Sequence, residues 1–72
     1  MHVRYEVWTE ENDKPVTKIW GPAPSLTRAR EVAQVEADKT SKDVRIDEVR
    51  YTYVGDPFPD EANLEYVGPQ VT

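Results

Sequence analysis

The side chains able to do acid–base or nucleophilic chemistry are few and poorly placed for it. His2 is the only histidine and lies at the start of the chain, where an imidazole is badly held for proton transfer. Ser25 and Ser41 are the only serines; both fall where helix ends want hydroxyls, and neither has a histidine near it in sequence. There is no cysteine, which excludes thiolate chemistry, disulfides and Cys-based zinc sites. Gly21, Gly55 and Gly68 stand alone beside turns, so no phosphate-cradling loop is expected. The run Glu10-Glu11-Asn12-Asp13 lacks the alternating oxygens, central glycine and distal glutamate of a calcium loop, and reads as a solvated turn. Paired carboxylates for glycoside chemistry need a walled cleft that 72 residues hardly provide. The chain is therefore expected to be no enzyme, with no catalytic residue, cofactor or metal.

Binding is the chemistry that remains. Trp8, Trp20 and Lys18 fall in the first forty residues and Arg50 and Arg4 on flanking strands; tryptophan and arginine are the types most enriched at protein-binding hot spots. Aromatics interleaved with Arg4, Lys18, Arg45 and Arg50 also suit a single-strand nucleic-acid platform. Against that stand Glu6 among them and a formal charge of −5, from 14 acidic and 9 basic residues. Nucleic-acid binding is the lesser alternative, and a protein partner the leading one.

The elements that must position these groups follow from periodicity. Val3-Arg4-Tyr5-Glu6-Val7-Trp8 alternates with period two, placing Val3, Tyr5 and Val7 on one face and Arg4, Glu6 and Trp8 on the other. The polar stretch from Thr9 to Pro15 turns the chain into a second strand, Val16 to Trp20. Pairing Val7 with Ile19 sets Thr9 against Thr17, Trp8 against Lys18 and Glu6 against Trp20. Both tryptophans then share the outer face with Val16. Gly21-Pro22-Ala23-Pro24 ends the strand, since proline supplies no ladder donor.

Ser25 is the expected N-cap, with Thr27 competing, of a helix of about four turns. Leu26, Ala29, Val32, Ala33 and Ala37 form its apolar stripe, and Lys39 and Lys42 suit its negative end. The last expected strand spans Val44 to Val54. Its parity changes midway, and a bulge at Asp47-Glu48 would return Val44, Ile46, Val49, Tyr51 and Tyr53 to one core face. Arg45 and Arg50 would then point outward.

After Gly55 the composition shifts. Residues 1–54 hold ten acids and nine bases, whereas residues 55–72 hold four acids, no base and three prolines. The expectation is a 1–54 ββαβ domain of the α+β class, a three-stranded antiparallel sheet with one helix on one face. Residues 55–72 follow as an extended acidic tail, with an extra strand admitted at 64–67. Three coverings of the outer face stay open: the tail folding back through Phe58, Leu64, Tyr66 and Val67; a second copy; or a heterologous protein. A homodimer is a live alternative, because so small a chain buries little core.

The blocks Tyr5-Glu6-Val7-Trp8, Trp20-Gly21-Pro22 running into Leu26-Thr27-Arg28-Ala29-Arg30-Glu31-Val32-Ala33, and Val44 through Tyr53 together resemble small accessory proteins encoded by bacteriophages of actinobacteria. The likeness spans residues 5–53 discontinuously. It implies an accessory protein that binds a host protein in the bacterial cytoplasm, and it supplies no catalytic residue. No apolar run approaches the roughly 20 residues that span a bilayer, so membrane contact is not expected.

Overall fold

The computed structural model describes residues 2–70. In chain order it has β1 (His2–Glu11), β2 (Lys14–Ala23), α1 (Leu26–Thr40), β3 (Val44–Tyr51) and β4 (Asp60–Val67). The fold is α+β, an antiparallel sheet of order β2-β1-β3-β4 with α1 on one face. The sheet thus has four strands where three were expected. Residues 60–67 of the supposed tail form β4, which begins four residues ahead of the 64–67 segment and pairs along β3.

The helix forms where its sequence says. Ser25 is extended (φ −99°), and its hydroxyl accepts the Arg28 N–H at 3.0 Å, the geometry of an N-cap. Ser41 closes the helix in the left-handed region (φ 58°), donating its N–H to the Ala37 carbonyl at 2.8 Å. Ala29, Ala33 and Ala37 recur every four residues and are fully buried, so the helix backbone lies close to the sheet. Beneath them sit Val7, Val44 and Ile46, with Tyr5, Trp20, Leu26, Val32 and Val67 packed around the rim.

Strand β2 is where the expected register fails. Trp8 does oppose Lys18, and Thr9 opposes Thr17, but Val7 opposes Trp20 and not Ile19. The ladder slips three times along β2, and one slip leaves Ile19 as an extra residue between Lys18 and Trp20. Trp20 is thereby turned to the helix side, where it packs against the core. A second slip falls at Gly21, whose φ of +94° suits glycine; a Cβ there would lie 2.3 Å from the Tyr5 carbonyl oxygen. The Gly21–Pro22 peptide bond is cis. At the hairpin tip Asn12 and Asp13 both take positive φ, 54° and 64°, which fits a two-residue loop between twisted strands.

The expected bulge at Asp47-Glu48 is absent. Strand β3 pairs with β1 without interruption from His2↔Tyr51 to Trp8↔Arg45. Val44, Ile46, Glu48 and Arg50 therefore face the helix side, while Arg45, Asp47, Val49 and Tyr51 face the open side. The irregularity lies across the ladder in β4: Glu65 opposes Ile46 and Asn63 opposes Asp47, leaving Leu64 as the extra residue. The Asn63 amide donates to the Ile46 and Glu65 carbonyls at 3.3 and 3.4 Å, filling donor positions that the slipped ladder leaves open.

Strand β4 is tied to the helix by polar contacts more than by apolar ones. Arg30 grips Glu65 with both nitrogens, the closest contact being 2.8 Å. Gln34 donates to the Gly68 carbonyl at 3.0 Å, and the Gln70 N–H donates to Asp38 at 2.9 Å. The molecule is only 15 Å across its shortest axis, one helix on one sheet with no third layer. Among the described residues no helix is long and apolar enough to cross a membrane.

Candidate functional site

The face of the sheet away from α1 has no secondary-structure element over it, yet parts of it are dry. Glu6 is 6% exposed and Asp47, directly opposite it on β3, is 1% exposed. Val49, two residues on, is 2% exposed. Their cover comes from neighbouring long side chains on a twisted sheet rather than from another layer.

Both buried carboxylates are satisfied. The Trp8 indole N–H donates to one Glu6 oxygen at 3.0 Å, and the Lys18 ammonium reaches the other at 3.4 Å. The same ammonium lies 6.0 Å from the centre of the Trp8 ring, at the outer limit of a cation–π contact. Arg45 donates to Asp47 at 2.5 Å and to Glu10 at 3.3 Å. Glu10 accepts in addition the Tyr66 hydroxyl at 2.6 Å, and that carboxylate holds the phenol above its usual range. Two clusters result, Trp8–Glu6–Lys18 on the β1–β2 side and Tyr66–Glu10–Arg45–Asp47 on the β1–β3–β4 side. Among the described residues no buried side-chain polar atom lacks a partner.

A third carboxylate completes the row. Glu61 of β4 opposes Val49 and shares the open face with Asp47 and Glu6. The residue is exposed as a whole, but partial desolvation of its carboxyl, followed by the nearness of the Asp47 and Glu6 carboxylates, pushes its pKa up to about 7. Among the described residues no group of three or more such side chains is disposed to hold a metal ion.

The five residues expected on one binding face are divided by the fold. Trp8, Lys18 and Arg4 are on the open face together. Trp20 is on the helix side for the reason given above, and so is Arg50, which follows Ile46 and Glu48 in parity and binds Glu48. The tail does not fold over the tryptophans. Phe58 is 87% exposed, Leu64 and Tyr66 are also exposed, and the segment that carries the last two is spent in pairing with β3.

Glu61 and Asp47 are members of this face that sequence reasoning left out, and Tyr66, expected there only as part of a covering tail, joins it as a β4 residue opposite Arg45. Uninterrupted alternation through Val44–Tyr51 would have placed Asp47 beside Arg45; the apolar positions Val49 and Tyr51 argued for the bulge and hid it. Comparison of the chain with protein-family models, with curated proteins and with solved structures finds no match to any of them.

Proposed function

We propose that the chain is a non-enzymatic protein-interaction module, an accessory protein of the phage type acting in a bacterial cytoplasm, which binds a host protein through the open face of its sheet around Trp8. The observation that supports this reading most is the fixing of Trp8 and Lys18 by one shared, nearly buried carboxylate. An indole and an ammonium held in register before binding lose little conformational freedom on binding, and such aromatic anchors carry most of an interface's energy. Arg4 flanks the pair on the same strand and face.

The test is affinity capture from a bacterial host lysate, followed by equilibrium binding of the retained protein to the parent chain and to Trp8→Ala. Truncating a hot-spot tryptophan costs about 2 kcal/mol or more, a loss of roughly thirtyfold in affinity. A Trp8→Ala chain that melts as a folded protein and still binds the same partner at parental strength would remove the open face from the reading. Binding that falls tenfold with each modest step in salt, on the other hand, would favour a nucleic-acid contact through Arg4, Lys18 and Arg45.

A further inference from the structure

The chain has a single phenylalanine, and it is outside. Phe58 is 87% exposed while alanines and valines fill most of the core. It is not on a slack loop. The Asp56 N–H donates to the Tyr53 carbonyl at 3.1 Å, and the Asp56 carboxylate accepts the N–H groups of Thr52 and Phe58, each at 3.0 Å. Those two backbone donors hold the Asp56 carboxyl below its usual range, and Pro57 and Pro59 fix φ on both sides of the ring. Tyr53 (56% exposed) and Val54 (82%) extend the same apolar patch.

A matching hollow lies at the same end of the sheet. It encloses about 220 Å³ and is lined by His2, Arg4, Pro22, Tyr51, Val54 and Gly55. A cavity of roughly 150 Å³ admits a benzene ring, so a phenyl group fits. Its rim holds an arginine without a carboxylate. Arg28, Arg30, Arg45 and Arg50 each bind an acid, whereas Arg4 binds none among the described residues. Asp60, two residues beyond Phe58, opposes Arg50 across the β3–β4 ladder and its charge acts on that guanidinium, but Arg50 bonds to Glu48, which leaves the Asp60 carboxylate without a hydrogen bond among the described residues.

Knob and hollow belong to one patch, since Val54 and Gly55 line the hollow and sit on the loop that carries Phe58. A patch holding both halves of a contact is self-complementary, which is the requirement for a closed two-fold pair. We propose that two copies of this chain associate end to end about such an axis. The Phe58 ring of each copy enters the Arg4–Tyr51–Val54 hollow of the other, and Asp60 of each meets Arg4 of the other. This contact uses an end of the sheet, shares Arg4 with the host-binding face and leaves the Trp8 anchor free, so it goes beyond the host-binding reading, and the Phe58 and Asp60 variants test it separately.

The test is solution mass by light scattering, with sedimentation equilibrium from micromolar to millimolar chain. The parent is expected at twice the chain mass, and Phe58→Ala, which alters almost no intramolecular contact, to weaken the dimer at least tenfold. Arg4→Glu and Asp60→Lys should each weaken it, and the double variant should restore it, because the swap rebuilds both ion pairs. Trp8→Ala should dimerise as the parent does. A parent chain that stays monomeric at millimolar concentration, or a dimer indifferent to both Phe58→Ala and the charge reversals, overturns the proposal without touching the open-face reading.

Discussion

The two faces of the sheet are buried by different means. On the helix side Val7, Val44 and Ile46 meet Ala29, Ala33 and Ala37, and the cover is a rigid backbone element. On the open side Val49 and Asp47 are as dry, at 2% and 1% exposure, under side chains alone. Apolar contact needs no partner atom in a set direction, so the helix-side face depends on filled volume and not on any one pairing. The open face depends on directed hydrogen bonds from Trp8, Lys18, Arg45 and Tyr66, and loses its cover when one of them goes. The lesson is that a sheet this small gains a second dry layer from charge pairing, at the expense of needing every charge matched.

The largest break in that comparison is expected from Ile46→Ala. It opens a cavity under a helix that cannot follow, and should cost about 3 kcal/mol in denaturant melts, within the usual 2–5 range. Val49→Ala on the open face removes a similar dry apolar group beneath flexible cover that can settle into the space, so about 1 kcal/mol is expected. Equal losses at the two sites would mean that the open face is as rigid as the helix-packed one.

Next in size is Asp47→Ala, at about 2 kcal/mol, because it leaves the half-buried Arg45 without its closest acceptor. Removing both partners, Asp47→Ala with Arg45→Leu, should recover a good part of that loss. A double variant no better than the single one would show that Arg45 matters as much to Glu10, which loses the same guanidinium, as to Asp47.

These differences also mark what was legible. The helix from Leu26, its Ser25 cap and its alanine stripe were readable because each rests on local spacing and a local hydrogen bond. The Trp8–Lys18 and Thr9–Thr17 pairings hold although the Val7–Ile19 pairing they follow from does not, because the ladder slips on both sides of them. The side of Trp20 was not, because a bulge is one extra residue whose place depends on the partner strand, not on the residues that carry it. The same reason misplaced the bulge of the 44–67 ladder: it sits at Leu64 in β4, and Asp47 in β3 only looked like its source. Strand β4 was under-read because DEANLEYV has almost no apolar alternation. Its place is set by the ladder to β3 and by Asn63 acting on the backbone, neither of which shows as apolar spacing within the segment.

A smaller effect separates the faces by pH. Glu61 holds its proton up to about pH 7 in the folded chain, against 4.5 for an ordinary glutamate. Between those values the folded state binds more protons than the unfolded one, so stability falls as pH rises from 4.5 to 7. The groups that meet it are the acids Asp47 and Glu6, with Lys18 and Arg45 bound to those two acids behind them. Melting temperatures taken across that window should decline for the parent and decline less for Glu61→Gln, which keeps a donor and carries no charge. Asp56 works the other way and lower down: its depressed carboxyl adds stability that is lost as pH drops below its ordinary 3.8. Identical slopes for parent and Glu61→Gln between 4.5 and 7 would dissociate the open-face row from the pH response.

The smallest expected effect belongs to the helix side. Arg30 and Glu65 form the best-shaped ion pair in the molecule, two-pronged with a closest approach of 2.8 Å, and join α1 to β4. Geometry alone would rank it above Lys18–Glu6, whose single contact is 3.4 Å. Solvent reverses the ranking. The Arg30 and Glu65 side chains are 55% and 30% exposed, against 39% and 7% for Lys18 and Glu6, so water and salt screen the helix-side pair more than the open-face one. Arg30→Ala should therefore shift a thermal melt barely beyond error, and the shift should vanish in molar salt. Lys18→Met should cost visibly more and persist in salt, because it strips a buried carboxylate of its only cation. If the Arg30 variant is instead the less stable of the two, β4 is held by its tie to the helix more than by its ladder to β3, and the contrast between an apolar face and a charge-paired one gives way to a contrast between an anchored strand and a loose one.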